Sequence, residues 1–206
     1  MSRLSQVVYS DLVYTHLRCG AWVLYFLVQA VPEYFKIKRW RIHLAESHAV
    51  EVPHLGGDGR AVMVDVGAKP ETQRMAVARA IVAMQSATLE RVRSGGVVKG
   101  DVLAVAQVAA IMGAKRTSDT IPLCHPLPLT SVAVAFSFPD DKHLQLEVTV
   151  QTIGRTGVEM EALCGASAGA LTVYDMCKAS DRAMTVTFLG LMEKSGGKSG
   201  HFIREE

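Results

Sequence analysis

Leu144-Gln145-Leu146-Glu147-Val148-Thr149-Val150-Gln151-Thr152 alternates apolar and polar side chains without a break. A strict period of two marks a strand with one face buried and the other wet. Just upstream, Ser131-Val132-Ala133-Val134-Ala135-Phe136-Ser137-Phe138 alternates small or polar residues with larger apolar ones. Pro139-Asp140-Asp141-Lys142 between them has turn composition, so the two segments predict an antiparallel hairpin.

Downstream, a long helix is expected from about Val158 to Lys178, then a strand over Met184–Leu191 and a glycine-rich tail, Lys194-Ser195-Gly196-Gly197-Lys198-Ser199-Gly200. The helix carries Ala162, Gly165, Ala166, Ser167, Ala168, Gly169 and Ala170, small residues that permit close approach of a neighbouring layer. Upstream of the hairpin, Asp101 caps a helix that runs to about Lys115, its Leu103, Val105, Val108 and Ile111 interleaved with alanines. A shorter helix follows Ser86 as N-cap, continues to Arg93, and is closed by Gly95-Gly96. Thr72–Met84 is open between helix and extended segment, whereas Ala61–Val66 reads as a strand. Antiparallel strands with two substantial helices predict an α+β fold, the helices packed on one face of the sheet.

The chain has 206 residues, 49% hydrophobic and 20% charged, enough for one folded domain with an appendage. Its net charge of +2 is uneven: residues 1–47 hold six Lys/Arg against three Asp/Glu (+3), leaving −1 for residues 48–206. A domain without basic excess argues against nucleic-acid binding. Cys19, Cys124, Cys164 and Cys177 have no CxxC spacing, so reduced thiols are expected and no metal site is assigned. Residues 1–47 differ in composition from the rest, with both tryptophans and the apolar run Ala21–Val31 followed by Lys36, Lys38, Arg39 and Arg41. That run falls short of the ~20 residues needed to span a bilayer, which weighs against a membrane role. We expect residues 1–47 to be a dispensable extension and residues 48–206 to form the working domain.

Ile121-Pro122-Leu123-Cys124-His125-Pro126-Leu127 holds a histidine between two prolines, on a stiff segment excluded from helix interiors. On the long helix, Asp175 and Lys178 are neighbours at i and i+3, set among Val173, Tyr174, Met176 and Cys177. A partly buried Asp–Lys pair is suited to proton transfer; the alternative is an ordinary surface ion pair. Glu159 and Glu161 open the helix, where its dipole favours acids. Lys99, at the glycine turn before a helix N-terminus, resembles an anion cradle, and Lys115-Arg116 ends the same helix. Gly197-Lys198-Ser199 is no nucleotide-hydrolysing P-loop, since Met192 occupies the required first glycine position. A phosphate-holding basic loop is still allowed.

Met63-Val64-Asp65-Val66, Lys99-Gly100-Asp101-Val102, Ala114–Asp119, Ile121–Leu127, Thr156–Leu163, Leu171–Lys178 and Lys194–Gly200 together resemble, in order and spacing, the MoaC family of molybdenum-cofactor (molybdopterin) biosynthesis. The resemblance covers roughly residues 52–202. It implies a ferredoxin-like α+β fold and a cytoplasmic lyase acting on a cyclised guanosine triphosphate, 3′,8-cyclo-7,8-dihydroguanosine triphosphate. That substrate is rearranged into cyclic pyranopterin monophosphate with release of diphosphate, and no cofactor is needed. The family assembles as a homo-hexamer, a trimer of dimers with sites at subunit interfaces. Carried onto this sequence, Asp175 is the acid/base, Lys178 shares its proton, and Lys99 is a catalytic or phosphate-contacting cation. Leu123, Cys124, His125, Met160, Glu161 and Glu159 line the substrate, while Lys115, Arg116, Arg74 and Lys198 bind its phosphates. Arg155 stands where the family has a basic residue before Thr-Gly. The competing class is a non-catalytic phospholigand-binding module, which would gain nothing from carboxylates near His125.

Overall fold

A computed structural model describes residues 59–205; the expectations for residues 1–47, the dispensable extension and the apolar run included, fall outside them. The elements follow in the order β1 (Thr72–Ala83), α1 (Ser86–Arg93), α2 (Val102–Lys115), α3 (Thr117–Thr120), β2 (Leu129–Ser137), β3 (His143–Gly154), α4 (Glu159–Cys177), β4 (Thr185–Ser195) and β5 (Phe202–Ile203). The strands form one sheet of order β2-β3-β1-β4-β5, antiparallel throughout. Read from β4, the first four strands run 4-1-3-2, the order of two interlocked β-α-β units. The α+β, ferredoxin-like expectation therefore holds, with β5 added at one edge.

The ambiguous segment is the central strand. In β1, Ala76, Ala78, Ala80 and Val82 are fully buried, and residues between them face the other way. Alanine favours helices intrinsically, yet here the period is two and the small methyls let the helices sit close over the sheet. Across the register, Ala78 lies opposite Val148 and Ala80 opposite Leu146. The hairpin forms as expected; Asp140 Oδ1 accepts from the N–H groups of Lys142 and His143 at 2.7 and 2.9 Å and fixes the turn.

Two expectations need correction. Ala61–Val66 carries only a bridge residue at Ala61, and Val62 and Met63 stand about half exposed. The chain is turning there: Asp65 Oδ1 accepts from Gly67 N–H at 2.8 Å, and Lys69 N–H donates to Val66 O at 3.0 Å. Ser86 is the first residue of α1, not its cap. Its hydroxyl donates to Asp141 at 2.8 Å, while the cap position, Gln85, gives its N–H to buried Asp181 at 2.8 Å. The end of α1 is as expected: Gly95, at φ +70°, and Gly96 donate to the Val92 and Arg91 carbonyls, a Schellman closure.

Both long helices cover one face of the sheet and press on each other. Asp101 caps α2, its Oδ1 accepting from Ala104 N–H at 3.0 Å. Contact between α2 and α4 is nearly backbone to backbone. A Cβ placed on Gly113 would stand 2.6 Å from the Ala168 methyl and 2.9 Å from Cys164 O. Gly113→Ala should gain about 1 kcal/mol of helix propensity but lose roughly 1–3 kcal/mol to overpacking. Net destabilisation in urea melts is expected; a stabilised variant would mean the helices can move apart freely. No helix among the described residues is long and apolar enough to cross a membrane.

Candidate active site

The Pro122 turn aims the histidine segment. Pro122 holds the second position of a turn closed by Cys124 N–H to Ile121 O at 3.1 Å, and residues 124–128, without regular secondary structure, lead into β2. Thr152 of β3 clamps that run by donating to Pro128 O at 2.7 Å. Leu123, Cys124 and His125 thereby face the first turn of α4 across a cavity of about 480 Å³ whose wall includes Glu159, Met160 and Glu161. Six of the residues assigned from sequence to the substrate thus converge.

Glu161 is 4% exposed. Burial, reinforced by the Glu159 charge and partly opposed by its own backbone N–H, pushes its carboxyl up to about 6. A carboxyl titrating there can hold or release a proton near neutral pH, the property required of a general acid or base. The Cys124 thiol is raised by burial and by the neighbouring Glu161 and Cys164. A neutral thiol is a wall, not a nucleophile.

A second cavity of about 550 Å³ adjoins the first, sharing Lys69, Thr156, Gly157 and Glu159 with it. Its cations are Lys69, Arg74, Arg155 and Lys198. The charge of Glu159 is countered by Lys194 at 3.0 Å, so the cavity is net positive. Arg74 reaches it from β1, its guanidinium donating to Gly154 O and Arg155 O at 3.3 and 3.2 Å. Gly197, at φ +75°, lies so close to Arg74 that a Cβ there would collide with Nη1. The glycine-rich tail is therefore a loop laid over an arginine, presenting Lys198. Thr72 lines the same cavity and has, among the described residues, a buried hydroxyl without a hydrogen-bond partner.

Lys99, Asp175 and Lys178 also come together, at the other end of α4. Lys99 Nζ donates to Asp175 O at 2.8 Å and to its Oδ2 at 3.3 Å, and Lys178 Nζ donates to Oδ1. Hydrogen bonds from Lys178 and Lys99 hold the Asp175 carboxyl below its usual range, and Asp175 in turn raises Lys178. The expected partial burial is absent: the side chains of Asp175 and Lys178 are 58% and 51% exposed. Their apolar sequence neighbours Val173, Met176 and Cys177 turn inward instead, because those positions fall on the opposite helix face.

Fourteen residues separate Glu161 from Asp175 on one helix, about 21 Å of rise. The two clusters of one chain therefore stand at opposite ends of α4. Lys115 closes α2 beside the first half of α4 but lines neither cavity; it borders a hollow with Leu127 and Leu129, and Arg116 lies exposed just beyond α2. Sequence reasoning missed Lys69 and Thr72. The one available hint was their nearness to the Met63–Val66 motif, since nothing local told that the loop would fold against α4. Among the described residues no group of three or more His, Cys, Asp or Glu is placed to hold a metal ion.

A buried carboxyl with a shifted pKa beside a cationic cavity, on an α+β scaffold, defines an acid–base enzyme for a phosphorylated substrate. The MoaC family model matches residues 63–197. Proteins named cyclic pyranopterin monophosphate synthase are similar to this chain at 57% identity in Desulfitobacterium hafniense, covering 76% of this chain and 96% of the relative. Those of Thermomicrobium roseum (56%, covering 76% and 95%) and Brevibacillus brevis (53%, covering 76% and 98%) are comparably similar. The chain belongs to the MoaC family.

Proposed function

We infer that the chain acts as a cyclic pyranopterin monophosphate synthase, a lyase of molybdenum cofactor biosynthesis. It converts 3′,8-cyclo-7,8-dihydroguanosine triphosphate to cyclic pyranopterin monophosphate and diphosphate. The observation that carries this reading is the shared wall between the Glu161–His125 cavity and the cationic cavity. Opening and reclosing the purine-derived ring needs proton donors and acceptors. Expelling diphosphate, as a sugar hydroxyl attacks the inner phosphate, needs fixed cations. One substrate lying across both cavities meets both needs.

In this reading Leu123, Cys124, His125, Met160 and Glu161 hold the ring system, while Arg74 and Lys198 hold phosphates. Arg155 acts on the scaffold instead. It donates to Gly67 O at 2.9 Å and pairs with Glu71 at 3.7 Å, securing the loop before β1. Asp175 and Lys178 exchange protons with substrate, and Lys99 keeps Asp175 ionised.

The same chain cannot bring both ends of α4 to one small molecule. A second protomer must therefore present its Lys99–Asp175–Lys178 end to the first protomer's cavities. Uncovered apolar surface supports such assembly. Val98, beside Lys99, is fully exposed, and Val105, Val108 and Met112 form an outward stripe on α2. The proposed assembly is a cytoplasmic homo-hexamer, a trimer of dimers, in which residues 1–47 are dispensable. The deciding experiment is to incubate purified protein with the cyclised triphosphate and follow diphosphate and pterin product. Tight binding without turnover would instead leave a phospholigand-binding module. A chain beginning at Val50 should keep full activity, and its failure to fold or act would give the N-terminal segment a role.

A further inference from the structure

We propose that Lys69 is a catalytic residue that contacts the inner phosphate, where the new phosphate ester forms and diphosphate departs; this deepens the synthase reading and rests on it.

Three parts of the substrate must be placed: the ring system, the inner phosphate and the departing diphosphate. If the ring lies against Glu161 and His125 and the diphosphate against Arg74 and Lys198, the inner phosphate lies at the wall common to both cavities. That wall is Lys69, Thr156, Gly157 and Glu159. Glu159 is an acid already engaged by Lys194, and Thr156 and Gly157 carry no charge. Lys69 is the single cation of the shared wall, and it has no side-chain hydrogen bond or ion pair among the described residues. Arg155, by contrast, commits its guanidinium to Gly67 O and Glu71 of the scaffold.

The loop carrying Lys69 is held in place. Its backbone N–H closes a turn to Val66 O at 3.0 Å, Gly67 N–H is taken by Asp65 at 2.8 Å, and Gly67 O by Arg155 at 2.9 Å. Pro70 follows and restricts the Lys69 backbone to extended conformations. An ammonium on a fixed loop can meet charge as it develops without reorganising, which is where electrostatic catalysis is most effective. In the step itself the sugar hydroxyl oxygen forms a bond to the inner phosphorus, and its proton is taken up by water. The bond from that phosphorus to the bridging oxygen breaks, and the electron pair leaves with diphosphate. Lys69 stabilises the equatorial oxygens of the inner phosphate through this exchange and gives up no proton.

The test is steady-state kinetics of Lys69→Ala, Lys69→Gln and Lys69→Arg with the cyclised triphosphate, reading diphosphate release. Lys69→Ala and Lys69→Gln should lower kcat on the order of 100-fold, with KM changed by less than about fivefold. Lys69→Arg, which keeps the charge, should recover at least about tenfold of that loss. A loss confined to KM would make Lys69 a simple phosphate anchor and overturn the proposal, as would a kcat within about threefold of wild type in both neutral variants. Lys69 is exposed, so the variants should melt like wild type. Wild-type protein that releases no diphosphate would remove the synthase reading and this proposal with it. An active wild type with unaffected variants would remove this proposal alone.

Discussion

Asp175→Asn and Lys178→Ala should each abolish turnover, lowering kcat about 10³-fold or more, while the protein folds and assembles as before. Asn keeps the shape of Asp175 but removes the charge that two lysines are arranged around. Because the cluster is exposed within the chain, its loss should not unfold the protein, and thermal melts should superimpose. Near-wild-type product formation by either variant would refute the assignment. A mixing experiment separates a shared site from a self-contained one. The Asp175→Asn chain retains an intact Glu161–His125 cavity, and a Glu161→Gln chain retains an intact Lys99–Asp175–Lys178 cluster. Co-expressed in equal amounts, half of the two-fold pairs are mixed and each has one of its two sites whole, giving about a quarter of wild-type activity. No recovery would place both halves of the site within one protomer.

Glu161→Gln has a second, opposite-signed pair of effects. With the carboxyl at about 6 in the wild type, kcat/KM should fall as pH drops through 6, and the variant should lose that limb together with roughly 10²–10⁴ of its rate. For stability, the folded-state pKa lies above the ordinary value of 4.5. The folded protein therefore binds the proton more tightly than the unfolded chain does. Glu161 disfavours folding least below pH 4.5, and its cost grows as pH rises through 6. The neutral variant should thus be more stable than wild type above pH 6, by up to about 2 kcal/mol, with no difference below pH 4.5. Urea melts at pH 4.5 and pH 8 measure this. Equal stability at both would mean that the carboxyl is not strained by burial.

The hairpin, α2 and α4 were legible because each repeats a burial pattern of one period over many residues. Val148 and Leu146 keep the strand period, and Asp101 announces its helix by a cap. The strand β1 was not decided, because Ala76, Ala78 and Ala80 suit either state and only the helices above them select the extended one. Ala61–Val66 misled for the complementary reason: a strand-like composition forms no strand without a neighbouring edge. For the site, sequence spacing grouped Leu123–His125 and Asp175–Lys178, each a local set. That Lys99 meets Asp175 is set by tertiary folding; its local sequence spoke only for an anion cradle at a helix start. Lys69 is invisible at that level, because its position at a cavity wall is created by Arg155 and Glu159 from the far side of the chain. The exposure of Asp175 was equally hidden, since apolar neighbours in sequence are not neighbours on a helix face.

The span of α4 also sets which changes of length the molecule can absorb. A single residue deleted between Glu161 and Asp175 would shift one end against the other by about 1.5 Å and swing it by about 100°. The acid end would then point away from its present direction, although each cluster would be chemically complete. An insertion in the Pro139–Lys142 turn, away from both ends, carries no such penalty. In this enzyme a helix is the measuring rod, and its length is as much a functional parameter as any side chain it bears.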